Sequence, residues 1–243
     1  MTDAPIDASP DAMTSIATDA TTPPATRILL VRHGQSVANA GGIPPDHITN
    51  PLTELGHAQA KAFADRLSCR PNLFLVSPYQ RAQETSLPSR QRYPEVPVEE
   101  WPIQEFSYLN PMEHKGTSEE QQMPQILQFW ERNDPAYADG PDAESFTAFL
   151  ARSRTALQRL ARLKFDGCIV VFTHGFFMQA IRLLLLFPHA TDQQIMSNFR
   201  RFHSVNFIPN LETVELEVVN GQLHMVGQQH LTTFTLQGES SHA

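Results

Sequence analysis

The chain has 243 residues, 18 basic and 26 acidic, with a formal net charge of −8. That length can bury one sizeable core. The longest apolar run, Ile181 to Phe187, is broken by Arg182 and falls short of the roughly 20 residues of a membrane span, and no basic stripe suits nucleic acid. Neither a membrane nor a nucleic acid is therefore an expected partner. Cys69 and Cys168 are too few for a disulfide framework. A reduced, cytoplasmic protein is the simplest expectation, with a Cys69–Cys168 bridge as the alternative.

Residues 1–26 hold Asp3, Asp7, Asp11 and Asp19 but no Lys or Arg, and are rich in Ala, Thr and Pro. Such a segment buries too little to order itself, and it lacks the basic and apolar regions of a secretory signal. It reads as a disordered tail, with residues 237–243 as a second tail. One domain is expected over 27–236.

Arg27 to Arg32 is an almost unbroken apolar run, read as a central strand covered on both faces. It stops at Arg32, His33 and Gly34. Strand ends that feed a Gly turn are where open α/β sheets hold ligands. Gly34 lets the backbone approach a ligand closely. An Arg fork binds phosphate, and a neutral imidazole can attack phosphorus. The stretch continues as LVRHGQSVAN through Asn39, and Gly41, Gly42, Pro44 and Pro45 mark a loop over the site.

Thr53 is placed to cap a helix, with Leu55, Ala58, Ala62, Phe63 and Leu67 at helical spacing. Leu73 to Val76 is the second strand. Ser77, Pro78 and Gln80 then read as cap, first turn and capping box, which puts Arg81 at a strand end like Arg32. Val96 to Val98 is expected as an edge strand. Glu105 follows, flanked by Ile103 and Phe106. Burial there favours the protonated carboxyl that a general acid needs. A solvent-facing Glu105 is the alternative, and Glu99, Glu100 and Glu113 are the substitutes.

Ser118 to Gln121 looks like another capping box, but Pro124 should interrupt it, leaving a helix from Pro124 to Arg132. Asp142 to Lys164 is the clearest helix, with Arg152, Arg154 and Arg159 on a solvated face. Cys168 to Phe172 is a buried strand ending in Thr173-His174-Gly175, and an apolar helix runs from Phe176 to Phe187. A His there faces the site, and helix N–H groups point at any anion. Val205 to Ile208, Val214 to Val219 and Leu223 to Val226 read as strands. Asn220-Gly221 signals a type I′ hairpin between the last two, hence an antiparallel end to the sheet. His203 and His230 are expected to be structural or exposed.

LVRHGQSVAN, PLTELGHAQA, SPYQRAQET and THG together resemble the histidine phosphatase superfamily, in the branch that also holds phosphoglycerate mutases. Glu144-Ser145 matches part of a family GES pattern, with Ala143 in place of Gly. The resemblance implies a three-layer α/β/α sandwich around a mixed, mostly parallel sheet. It implies that His33 attacks phosphate and becomes phosphohistidine. Arg32, Arg81, His174, the Gly175 N–H and Asn39 then hold the phosphoryl group, and Glu105 protonates the leaving group. EFSYL around Glu105 departs from the context common in the mutases. The region after Met112 would cover the substrate, with Tyr108, Phe129, Trp130 and Tyr137 as lining candidates and ordinary packing as the alternative. No metal or cofactor is implied. The expected activity is hydrolysis of phosphate monoesters on a small molecule or a protein. The alternatives are a phosphoglycerate mutase and a non-catalytic phosphate-binding module. The tryptophan- and arginine-rich segment of the mutases is not found between Arg92 and Gly116, which favours hydrolysis.

Overall fold

Among the described residues six strands share one sheet, and its central strands β1, β2 and β4 are apolar on both faces. In β1 (Thr26–Arg32), Ile28 and Leu30 point into one core and Leu29 and Val31 into another. Alternation of side chains along a strand makes that division. β2 (Pro71–Val76), β3 (Val98–Glu100) and β4 (Cys168–Thr173) run parallel in the order β3-β2-β4-β1. β5 (Thr213–Val219) and β6 (Gln222–Met225) complete the sheet antiparallel to β1. The structure is a computed structural model and describes residues 26–227 and 234–236. The expected tails, apart from Thr26, and His230 lie outside the described residues.

One face of the sheet is covered by α1 (Glu54–Arg66) and α2 (Gln80–Arg92), through Phe63 and Ala82 among others. The other carries α3 (Glu119–Arg132), α4 (Phe146–Arg162), α5 (Gly175–Leu186) and α6 (Asp192–Val205). The result is an α/β/α sandwich around a mixed, mostly parallel sheet. Thr53 caps α1, accepting from the Gly56 N–H. Asn220 and Gly221 both have positive φ, 53° and 77°, as a type I′ hairpin requires. No helix among the described residues is long and apolar enough to cross a membrane.

Several expectations need correction. β3 starts at Val98, two residues later than the sequence suggests, and is exposed throughout. Pro124 lies inside a continuous α3. A complete Ser118–Gln121 capping box and the buried anchors Ile126, Phe129 and Trp130 hold that helix together around it. Phe129 and Trp130 therefore belong to the core rather than to a substrate cover. α4 begins at Phe146 because Ser145, not Asp142, supplies the cap, accepting from the Ala148 N–H. Val205 to Ile208 is not a strand. Val205 ends α6, whose Thr191–Gln194 capping box starts a helix that the sequence reading missed. Cys69 and Cys168 are paired as a disulfide rather than free. The β2–β4 register sets Pro71 beside Cys168, which brings Cys69 within reach.

Candidate active site

β1, β2 and β4 end on the same side of the sheet, and each delivers part of one cluster. β1 delivers Arg32 and His33. β4 delivers His174, the N-cap of α5. β2 leads through Ser77 into α2 and its Arg81. His33 is 3% exposed, His174 0% and Arg81 6%. The two imidazoles lie with ring centroids 5.1 Å apart.

The hydrogen bonds define which ring atoms are available. His33 Nδ1 donates to its neighbour's carbonyl, Gly34 O, at 2.7 Å. That bond leaves the lone pair on Nε2, where the Nε–H of Arg81 donates at 3.2 Å. His174 Nε2 is bonded to the Ser77 hydroxyl at 2.7 Å, while its buried Nδ1 has no partner among the described residues. A Ser77 O–H donated to Nε2 places the ring proton on Nδ1. Arg32 Nη1 donates to Ile208 O at 2.6 Å, and its buried Nε is also without a partner. The Phe207 ring covers that guanidinium at 5.2 Å.

Burial, followed by Arg81 and Arg32, holds His33 well below the usual imidazole range. Burial, then Arg81 and His33, does the same to His174. Both rings are neutral at physiological pH. Burial lowers Arg81 to about 10, which still leaves it cationic. The centre is therefore two neutral imidazoles between two guanidinium ions, a field suited to an anion.

Glu105 reaches the same region differently from the expectation. Its Oε1 accepts from the backbone N–H groups of Phe176 at 3.0 Å and Phe177 at 3.2 Å, and Oε2 also accepts from Phe176. Ile103 and Phe106 turn into the core, while the half-buried carboxyl caps α5 rather than sitting among apolar groups. Gly175 opens that helix, and a Cβ there would lie 3.4 Å from Arg32 Nε. Asn39 is exposed in a 3-10 turn, its Oδ1 accepting from Ser36 N and from Asn210 Nδ2. It braces the loop and does not line the cavity.

That cavity, of about 260 Å³, is lined by Arg81, Tyr79 and Glu105 of this region together with Tyr108, Lys115 and Ile126; Arg32, His33 and His174 are not part of its lining. Glu99, Glu100 and Glu113 do not line it. Glu99 accepts from the Trp101 indole, Glu100 from Gln83 and Glu113 from Asn110.

Sequence reasoning misassigned two residues here and missed others. Ser77 is not a helix cap, because α2 starts at Gln80 with no side-chain cap; its hydroxyl orients His174 instead. Gly34 admits the first turn of α1 rather than a ligand, since a Cβ would lie 2.8 Å from Gly56 O. Thr85 accepts from the Gly34 N–H at 3.0 Å, and Asn210 Nδ2 donates to His33 O at 2.8 Å. Thr85 lies within the SPYQRAQET stretch and could have been suspected. Asn210 carries no local signal.

The chain resembles known phosphatases in sequence and in fold. A phosphoserine phosphatase of Arabidopsis thaliana, described as metal-independent, is 32% identical over 163 residues, 65% of this chain and 68% of its own length. A 5''-phosphoribostamycin phosphatase of Niallia circulans is 27% identical over 221 residues, 82% of this chain and 98% of its own. Among solved structures, a putative alpha-ribazole-5'-P phosphatase of Escherichia coli superposes with a TM-score of 0.65 at 21% identity, covering 82% of this chain and 94% of that one. The family model for branch 1 of the histidine phosphatase superfamily matches residues 28–226, so the chain belongs to that superfamily.

Proposed function

We propose that this histidine phosphatase hydrolyses small phosphate monoesters in two steps through phospho-His33. In the first step His33 Nε2 forms a bond to phosphorus as the ester P–O bond breaks. Glu105 gives its proton to the departing oxygen. In the second, water attacks phosphorus, Glu105 takes a proton from it, and the P–N bond to His33 breaks. Arg32, Arg81 and His174 hold the phosphoryl oxygens throughout. Donors fixed before the reaction stabilise the spread charge of a loose transition state.

The observation that carries this reading is the pair of orphaned donors. Among the described residues, buried Arg32 Nε and His174 Nδ1 have no hydrogen-bond partner, and with the Ser77 O–H donated to Nε2 both are donors near a neutral His33. Buried polar groups are rarely left unpaired, and phosphoryl oxygens would satisfy both. The cavity supports a small organic substrate. Its lining combines apolar Tyr108, Leu109 and Ile126 with His114 and Lys115.

A panel of phosphorylated metabolites, with p-nitrophenyl phosphate as a generic substrate, tests the proposal. Phosphate release from p-nitrophenyl phosphate and from at least one metabolite is expected. Release from none of them would overturn it. Transfer between 3-phosphoglycerate and a bisphosphate primer, without net hydrolysis, would replace it with a mutase.

A further inference from the structure

Glu105 sits in an irregular stretch, residues 101–111, rather than on a helix or strand. A proton donor needs a fixed position, since misplacement by about 1 Å can cost a hundredfold in rate. Three elements hold it, one of them β4, whose Thr173 hydroxyl donates to Ile103 O at 2.6 Å. The N-terminal amides of α5 bind its carboxyl, as described. Its main chain is held from α4 by one side chain, Arg152.

The Arg152 guanidinium uses all three nitrogens. Nη1 donates to Gln104 O at 2.8 Å and to Pro102 O at 3.4 Å. Nη2 donates to Glu105 O at 3.3 Å. Nε and Nη2 bind the two oxygens of Glu144 at 2.6 and 2.9 Å, a bidentate pair with side chains only 13% and 19% exposed. Planar two-point pairing fixes orientation as well as position. The guanidinium lies 4.8 Å from the Phe149 ring and 5.7 Å from that of Phe177, whose own N–H binds the Glu105 carboxyl. Glu144 is tied down in turn, its N–H donating to Ser107 O at 2.8 Å.

We infer that Arg152, clamped by Glu144, is a positioning residue that holds residues 102–105 so that Glu105 meets the leaving oxygen; the inference rests on Glu105 being the proton donor. Arg152 makes no hydrogen bond to Arg32, His33, Arg81 or His174, and on this inference its effect passes through Glu105. A direct electrostatic effect on His174 is the competing account. The two differ in what they do to leaving groups. Loss of proton donation penalises poor leaving groups, whereas a changed field at the imidazoles slows all substrates alike.

The test compares burst rates of His33 phosphorylation by 2-glycerophosphate, phenyl phosphate and p-nitrophenyl phosphate. In Glu105→Gln the glycerophosphate rate should fall relative to the p-nitrophenyl rate by about a hundredfold. In Arg152→Met the same ratio should fall about tenfold, with phenyl phosphate between. Adding Arg152→Met to Glu105→Gln should not lower the ratio further, because both act through one group. Arg152→Lys keeps the charge but cannot span Glu144 and the carbonyls together. It should give an intermediate ratio, and it carries the comparison if the Met variant does not fold. Equal slowing of all three substrates in the Arg152 variants overturns the inference while leaving Glu105 as the donor. An unchanged ratio in Glu105→Gln overturns the donor assignment, and the inference with it.

Discussion

The Nε–H of Arg81 donates to His33 Nε2 across 3.2 Å, so the atom proposed to attack phosphorus is occupied by a cation proposed to bind phosphate. A phosphoryl group satisfies both at once. It takes the Arg81 donor with an oxygen and the His33 lone pair with phosphorus. Arg81 also donates to His47 O at 2.8 Å and stacks on Tyr79 at 5.1 Å, which hold it at the cavity wall.

Arg81→Ala should therefore cost about 3 kcal/mol of transition-state stabilisation, the scale for one preorganised donor. Arg159 is the comparison. It is exposed, and its guanidinium lies 3.6 Å from the centre of the Trp101 ring. Arg159→Ala should lower stability by about 0.5–1 kcal/mol and leave kcat/KM within experimental error. Steady-state kinetics and thermal melts of both variants check this. Equal losses of kcat/KM would remove Arg81 from the site.

His33→Ala should abolish turnover. Wild-type enzyme quenched in alkaline denaturant during turnover should carry alkali-stable, acid-labile phosphate on His33, detectable by peptide mapping at alkaline pH. Steady-state activity of the Ala variant at a tenth of wild type would end the phosphohistidine mechanism.

The pH dependence follows from the buried imidazoles. In the unfolded chain His titrates near 6.5, whereas burial lowers His203 to about 4 in the folded protein, Arg32 and Arg200 adding to it. Between those values the unfolded state binds more protons, so stability rises with pH there. The contribution of a neutral His203 is complete above about pH 6.5 and is lost on acidification towards pH 4. The melting temperature of His203→Gln should fall less steeply than that of wild type over this window. A parallel fall would mean that His203 is already protonated when folded. His33 shifts in the same direction, so its protonation should not limit p-nitrophenyl phosphate turnover until well below pH 6.5.

Gly34 tests the link between packing and site. Its N–H is held by Thr85, its carbonyl accepts from His33, and a Cβ would press on Gly56 O. Gly34→Ala should destabilise the fold by about 1–3 kcal/mol and lower kcat at the same time. Denaturant melts and kinetics measure the two effects. Full activity in a destabilised variant would separate the α1 contact from the site.

The sequence determined what local pattern can encode. Apolar runs at Arg27–Arg32, Leu73–Val76 and Cys168–Phe172 mark buried strands, and a chemical residue stands at each of their ends. Asn220-Gly221 specifies its hairpin because few residues tolerate two consecutive positive φ values. Arg32, His33, Arg81 and His174 stand in short motifs that the family resemblance singles out, and the fold brings them together. Tertiary structure decided whatever depends on partners distant in sequence. Ser77 has the local marks of a helix cap, yet an imidazole 97 residues away takes its hydroxyl. Pro124 reads as a breaker, yet the aromatic core around Phe129 and Trp130 holds the helix through it. Arg152 looks like one more surface arginine of an amphipathic helix until the fold brings the carbonyls of Pro102, Gln104 and Glu105 against it. Glu105 looks like an acid among apolar neighbours, but the α5 amides that receive it lie some seventy residues on. Hydrogen bonds of this kind are chosen by geometry after packing, and no local spacing encodes them.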